Sequence, residues 1–317
     1  MKHDMMWAYL IHLSDKMWGD IPETRPTPFH PTLGVDDATW RKVIDFLPQQ
    51  GFNTVLIDVG DAVQYESHPE IVIPGAWSKD KLKAELDYMR SIGLTPLPKL
   101  NFSAGHDAWM GEYSRMVSTT PYYKVCKDLI QETAELFGSP EYFHLGMDEE
   151  TPENQRTYQL SIVRQGDLWW HDLYYLFDCC DKVGARPWVW SDPCWSLHGK
   201  QEEFMRRMPK STLQSNWWYN PMKLDANGEP ADPRYQAYLE LDKAGYDQVP
   251  TASTYFGTMQ NSQETMQLVK NKCDPALVKG FMTAPWYFTY ASEEYALLND
   301  ALRFGLAKQD VYPEYCK

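Results

Sequence analysis

The sequence has no C-x-x-C pair among its six cysteines (Cys126, Cys179, Cys180, Cys194, Cys273 and Cys316), and their spacing is irregular. That excludes a zinc ribbon and a disulfide framework as organising devices, and free thiols are expected. Nothing approaches the roughly 18 consecutive apolar residues of a membrane span, so a soluble chain with no membrane partner is expected. The first apolar stretch, Met5 to Leu13, is interrupted by His12 and followed by no small-residue cleavage site. It reads as a strand rather than a leader. Localisation stays open, periplasmic or secreted if a leader has been removed. An excess of positive charge is also missing. With 30 Lys and Arg against 44 Asp and Glu the net charge is -14, so a nucleic acid would meet mean repulsion and is not an expected partner. No H-x-H or other compact ligand cluster occurs, so neither a metal nor a cofactor is expected.

What is present is a globular composition, 43% hydrophobic and 23% charged over 317 residues, with one alternation repeated along it. Apolar runs rich in β-branched and aromatic residues read as strands at Met6 to Leu13, Asn53 to Val59, Leu94 to Phe102, Glu141 to Leu145, Arg186 to Trp190, Thr212 to Trp218, Gln248 to Tyr255 and Val278 to Pro285. Helical spacing fills the intervals: Asp37 to Gln50, Ser78 to Ser91, Pro121 to Phe137, Asp167 to Val183, Gln201 to Met208, Pro233 to Ala244, Ser262 to Asn271 and Ser292 to Lys308. Several helices end at a glycine that feeds the next strand (Gly51, Gly93, Gly184, Gly245), where a left-handed residue closes the helix. Eight strand-helix units predict an α/β fold, a (β/α)8 TIM barrel, as a single domain over 1–317, with a doubly wound open sheet as the alternative.

In such a barrel the loops at the carboxyl ends of the strands carry function. Taken strand by strand, those positions hold Ser14 and Asp15; Asp58 and Asp61; Asn101 and His106; Asp148, Glu149 and Glu150; Trp190, Asp192 and Trp195; Trp217 and Trp218; Tyr255; Trp286 and Tyr287. Carboxylates form one arc and large aromatics the other. Indole faces suit the C–H faces of a sugar ring, so the aromatic arc points to a glycan partner. The segment FHLGMDEE, Phe143 to Glu150, sets three carboxylates in a row. Read alone it is a solvated helix start, where anions are welcome; at a strand's end it reads as an active site.

The segment GLTPLPKLNFSAGHDAW, Gly93 to Trp109, followed by FHLGMDEE, resembles the family 20 glycoside hydrolases, the β-N-acetylhexosaminidases. DVGD at Asp58 to Asp61, VWSD ending at Asp192 and STYFG with Tyr255 are similar to that family's second, fifth and seventh strand endings. The match is specific from about Asn53 to Glu150 and looser to Trp286. The resemblance implies a retaining, substrate-assisted glycosidase for N-acetylhexosamine-containing glycans. Glu149 is then the general acid, with a pKa raised by apolar walls and by Asp148. Asp148 polarises the substrate's 2-acetamido group and Tyr255 hydrogen-bonds its oxygen. His106 and His144 support the carboxylates, Trp190, Trp217 and Trp286 wall the sugar pocket, and Trp218, Asp15, Asp61 and Asp192 complete the binding set.

The departures are as informative. The family's first-strand arginine is absent from Ile11-His12-Leu13-Ser14-Asp15, and Tyr287 and Phe288 follow Trp286 where the family has a glutamate. Lys99 and Asn101 stand in place of a glutamate and an aspartate, and Met147 replaces the second glycine of the fourth-strand motif. The family's usual N-terminal accessory domain is expected to be missing. Hydroxyl-gripping residues differ while the chemistry residues match, so a shifted sugar or linkage is expected. Two other classes stay in view: a catalytically weak carbohydrate-binding barrel, and a metal-dependent hydrolase using His12, His106, His144 and Asp148.

Overall fold

The alternation read from the sequence is realised strand by strand. The computed structural model describes residues 5–17 and 31–316. Its strands are β1 (Met6–His12), β2 (Thr54–Asp58), β3 (Thr95–Lys99), β4 (Tyr142–His144), β5 (Arg186–Trp190), β6 (Leu213–Ser215), β7 (Thr251–Ala252) and β8 (Gly280–Thr283). All pairings among these strands are parallel, in the order β6-β5-β4-β3-β2-β1-β8-β7. Bridges Gln214–Gln248 and Trp217–Thr251 join β6 to β7, so the two ends of that order meet. Helices α1 (Asp37–Phe46), α2 (Lys79–Ser91), α3 (Thr120–Leu136), α4 (Asp167–Lys182), α5 (Gln201–Arg207), α6 (Pro233–Lys243), α7 (Asn261–Lys272) and α8 (Glu294–Val311) each follow one strand. The fold is a (β/α)8 barrel. The expected unit of 1–317 takes in residues 1–4, 18–30 and 317, which lie outside the described residues.

Local chemistry accounts for these elements. Ser78 caps α2 by accepting from the Lys81 N–H at 3.1 Å, and the helix turns Leu82, Leu86 and Met89 toward the barrel. Burying each such side chain contributes about 1.5 to 3 kcal/mol. Gly51, Gly93, Gly184 and Gly245 all take positive φ, between 76° and 86°, as the helix ends require. The six cysteines are free thiols. No described helix is long and apolar enough to cross a membrane.

β3 carries two prolines inside the sheet, an unusual place for a residue without a donor. Thr95 donates toward β2 and Leu100 toward β4, so by the two-residue period Pro96 and Pro98 would have donated toward β4. That seam has a single registered pair, Lys99–His144, against five between β2 and β3. The two β3 prolines thus loosen the barrel on the side below the carboxylate motif.

Register also explains the top of the barrel. His12, Asp58, Lys99 and His144 are successive cross-strand partners on β1 to β4, all at most 2% exposed. A barrel interior is usually filled by Val, Ile and Leu. Here its uppermost layer on four strands is polar.

Candidate active site

That polar layer forms the floor of the site. Lys99 Nζ donates to Asp58, and His12 Nδ1 lies 3.5 Å from the same carboxylate. Burial alone would raise the Asp58 pKa, but Lys99 and then His12 hold it well below the usual carboxylate range. His144 is the opposite case. Burial, then the nearby Lys99 charge, pushes its pKa well below the usual histidine value. Its Nδ1 accepts from Gly146 N–H at 3.0 Å, which puts the remaining proton on Nε2, an atom with no partner.

Above the floor, backbone conformation resolves how adjacent Asp148 and Glu149 serve one site. A regular strand would send them to opposite faces. Gly146, Met147 and Glu149 instead have φ of 71°, 74° and 55°, and this left-handed stretch ends the alternation. Non-glycine residues held there cost about 1 to 3 kcal/mol each and gather at functional sites. At Gly146 a Cβ would lie 1.9 Å from Asn101 Oδ1, so only glycine fits. Asn101 Oδ1 accepts from Ser103 N–H (3.0 Å) and Met147 N–H (3.3 Å), and its Nδ2 donates to Asp148 Oδ1 at 2.9 Å.

His106 joins the two carboxylates. Its Nδ1 lies 3.3 Å from Asp148 Oδ2 and its Nε2 3.3 Å from Glu149 Oε2. Burial would lower its pKa, yet the Asp148 and Glu149 charges outweigh burial and push it up to about 10. Asp148 is correspondingly lowered, burial opposing and His106 prevailing. Asp192 Oδ2 accepts from Glu149 N–H at 2.9 Å while its Oδ1 has no partner. Burial, then the Asp148 charge, raises the Asp192 pKa well above the carboxylate range. Two neighbouring buried carboxylates are thus driven apart, one toward the anion and one toward the acid.

Glu150, the third carboxylate of the motif, takes another part. Arg164 grips it through Nε (2.9 Å to Oε1) and Nη2 (2.6 Å to Oε2), and Ala104 N–H donates to it at 3.1 Å. The same guanidinium donates to Phe102 O at 2.8 Å and to Asp172 Oδ2 on α4 at 3.1 Å. This buried clamp ties the loops after β3 and β4 together. Sequence reasoning missed it, because Arg164 lies 14 residues from its partner in a loop with no motif.

The other arc is built of rings. Trp190 lies 4.6 Å from His144 and 5.8 Å from Trp286, which lies 5.7 Å from His12, measured between ring centroids. Trp286 itself has φ of 59° and donates from Nε1 to Tyr219 OH at 2.9 Å. Tyr219 stacks on Trp217 at 5.3 Å. The structure therefore gathers Asp148, Glu149, His106 and Asp192, while His144, Trp190, Trp286 and Trp217 are connected to one another through ring contacts and the Tyr219 hydrogen bond. Asp15, Asp61 and Tyr255 make their contacts elsewhere, and Trp218 touches Trp217 as well as an arginine. Asp15 accepts from Tyr290 OH at 2.6 Å, and Asp61 accepts from Ser14 Oγ at 2.7 Å, its pKa raised to about 6 chiefly by burial. Trp218 packs under the Arg234 guanidinium, and Tyr255 is 39% exposed beside Phe256 and Tyr287. Tyr219 was missed; its signal was the spacing of Trp217 and Tyr219 two residues apart, which in an extended segment places both on one side.

For a cation, His106, Asp148 and Glu149 are the described residues whose ligand atoms gather, within 4.8 Å of one another. His12 and His144 do not join them. His106 instead sets one ring nitrogen toward each carboxylate, as an imidazolium between two anions does.

No family model matches the sequence, and no curated protein sequence matches it. Solved structures do match. The exo-β-N-acetylglucosaminidase of Vibrio harveyi, a family 20 glycoside hydrolase solved with N-acetylglucosamine, superposes with a TM-score of 0.61 at 15% identity over 99% of this chain and 58% of that one. The chitobiase of Flavobacterium johnsoniae gives 0.60 at 14% over 89% and 49%, and the β-N-acetylhexosaminidase of Bacteroides fragilis 0.62 at 14% over 98% and 71%. The chain spans about half the length of the first two. The likeness establishes a barrel fold in common with these enzymes.

Proposed function

We propose that this barrel is a glycoside hydrolase, a single catalytic domain cleaving N-acetylhexosamine-containing glycans by a retaining, substrate-assisted route. The observation that carries the reading is His106 set between Asp148 and Glu149 at the mouth of a tryptophan-walled barrel. Glu149, its side chain 35% exposed, is the carboxyl that can reach a leaving group. The proton held by His106, 3.3 Å away, passes through Glu149 to the glycosidic oxygen as the bond to the anomeric carbon breaks. The acetamido carbonyl oxygen of the same sugar forms a new bond to that carbon from the opposite face, giving a cyclic oxazolinium. Asp148, kept anionic and aimed by Asn101, accepts from the acetamido N–H and balances the developing positive charge. Glu149, now a carboxylate, takes a proton from water, whose oxygen opens the ring and restores the original configuration. His106 positions Glu149, and no enzyme nucleophile or metal enters these steps.

One observation favours the second reading, a carbohydrate-binding barrel with weak turnover. The floor that would meet sugar hydroxyls is engaged with itself, Lys99 and His12 both facing Asp58. Hydrolysis of aryl N-acetylglucosaminides and N-acetylgalactosaminides, together with binding of a thiazoline mimic of the cyclic intermediate, separates the two. The glycosidase reading expects turnover, tighter binding of the mimic than of the free sugar, and loss of that advantage in Asp148→Asn. Binding of sugars without turnover sinks it. A preference for glycosides lacking the acetamido group sinks the substrate-assisted route.

A further inference from the structure

We propose that Tyr219, on the segment after β6, and not Tyr255, is the phenol that donates a hydrogen bond to the substrate's acetamido oxygen. The inference rests on the substrate-assisted reading above and changes which residue completes it. The two tyrosines differ in every respect that matters to a preorganised donor. Tyr255 is 39% exposed, its ring leans on Phe256 and Tyr287 at the rim, and its hydroxyl makes no described hydrogen bond. Tyr219 is 2% exposed, and its oxygen accepts from Trp286 Nε1 at 2.9 Å.

That bond decides what the phenol can offer. An indole N–H only donates, so it occupies a lone pair on the Tyr219 oxygen and leaves the hydroxyl hydrogen for another acceptor. Among the described residues none takes it. A buried O–H without an acceptor is costly, and a ligand oxygen is the group that would relieve it. The position suits that ligand. Trp286 packs on Trp190, so the hydroxyl sits at the edge of the indole walls, and Asp148 and Glu149 are near enough that their charges add to burial in raising the phenol pKa. A neutral donor is thus favoured over phenolate, as a carbonyl oxygen requires. With Asp148 toward the acetamido nitrogen and Tyr219 toward its oxygen, one group would be held at both ends.

The mount is rigid. Trp217 pairs with Thr251 on β7, and the Trp218 and Asn220 carbonyls on either side accept from Asn261 Nδ2 (2.9 Å) and Tyr235 OH (2.7 Å). Tyr219 further stacks on Trp217 with planes 25° apart. Preorganisation of this kind makes a donor effective at the moment of reaction.

The test compares Tyr219→Phe with Tyr255→Phe, each first shown to unfold within a few degrees of the wild type. Two probes are titrated by calorimetry: the thiazoline mimic, and a sugar-shaped iminosugar lacking any acetamido group. Tyr219→Phe is expected to weaken the mimic roughly 10- to 100-fold and to lower kcat/KM on N-acetylglucosaminides by a similar factor, the scale of one lost donor. The iminosugar should bind within twofold of wild type. Tyr255→Phe should change mimic binding less than threefold. Equal losses on both probes make Tyr219 a structural support of Trp286 and overturn the proposal, as does a mimic affinity that falls in Tyr255→Phe and not in Tyr219→Phe. A wild type that neither turns over N-acetylhexosaminides nor binds the mimic is a different failure, read before any variant: it removes the substrate-assisted reading and this inference with it.

Discussion

The arc of the mouth built after β3, β4 and β5 is held by charge, and the arc built after β6, β7 and β8 is held by rings. In the first, Asn101, His106 and Arg164 each contact two or more groups of the carboxylate motif or its loops, and Asp192 accepts from the Glu149 N–H. In the second, Trp217, Tyr219, Phe256, Tyr255 and Tyr287 follow one another at centroid distances of 5.3 to 6.2 Å, with few hydrogen bonds between them. The difference is physical. Buried charges lose water and must be fully paired, so the network tolerates little change. Rings contribute through area and quadrupole, each contact worth about 0.5 to 1.5 kcal/mol beyond burial, so losses there are graded.

The largest effect expected from breaking this contrast is in the charged arc. Glu149→Gln should cost about 10²- to 10⁴-fold in kcat/KM on a glycan with a poor leaving group, and much less on an activated aryl glycoside that needs no proton. Equal losses on both would remove Glu149 from the acid role. Next is the clamp: Arg164→Met leaves Glu150 and Asp172 buried without their cation, which should cost about 3 to 5 kcal/mol of stability. Chemical denaturation measures it, and a change below about 1 kcal/mol means the carboxylates find other partners.

The pH dependence of stability sharpens the same arc. The His106 pKa is raised from 6.5 to about 10 in the folded protein, so the folded state holds its proton more tightly than the unfolded chain does. The stabilisation is therefore complete below pH 6.5 and is lost as pH rises toward 10. The stability difference between wild type and His106→Gln should shrink across that window; a constant difference from pH 6 to 10 would contradict an imidazolium between Asp148 and Glu149. In the aromatic arc, Trp286→Ala and Trp217→Ala should each cost about 1 to 3 kcal/mol of transition-state binding. Because both touch Tyr219, the double variant should cost less than the sum. Asp15→Asn should matter least, since its carboxylate already accepts from Tyr290. A loss larger than that of either tryptophan would show that Asp15 meets the sugar directly.

The fold was legible because its signals are local. Apolar runs rich in β-branched and aromatic residues, helical spacing and four closing glycines recur along the chain, and each is a short-range signal. β6 and β7 were read too long. The residues after Ser215 and Ala252 have strand-like composition, but past the Trp217–Thr251 bridge they leave the ladder and bring Tyr219 to the walls and Tyr255 to the rim. Asp148, Glu149 and His106 were singled out through the motifs that carry the family resemblance, and the structure brings them together. Glu150 was read with them, and only its salt bridge to Arg164 shows that it serves the loops.

The alternation was thus determined by the sequence itself: eight strand-helix units, with carboxylates and tryptophans in the segments that follow the strands. Tertiary structure decided which of those groups meet. The left-handed turn at Gly146, Met147 and Glu149 puts two neighbouring acids into one pocket, parallel register lines up His12, Asp58, Lys99 and His144 as a floor, and a single indole hydrogen bond brings Tyr219 to the walls while Tyr255 stays on the rim. The indole bond joins residues 67 positions apart, and no local periodicity encodes a distance of that kind; it is set by how the barrel closes.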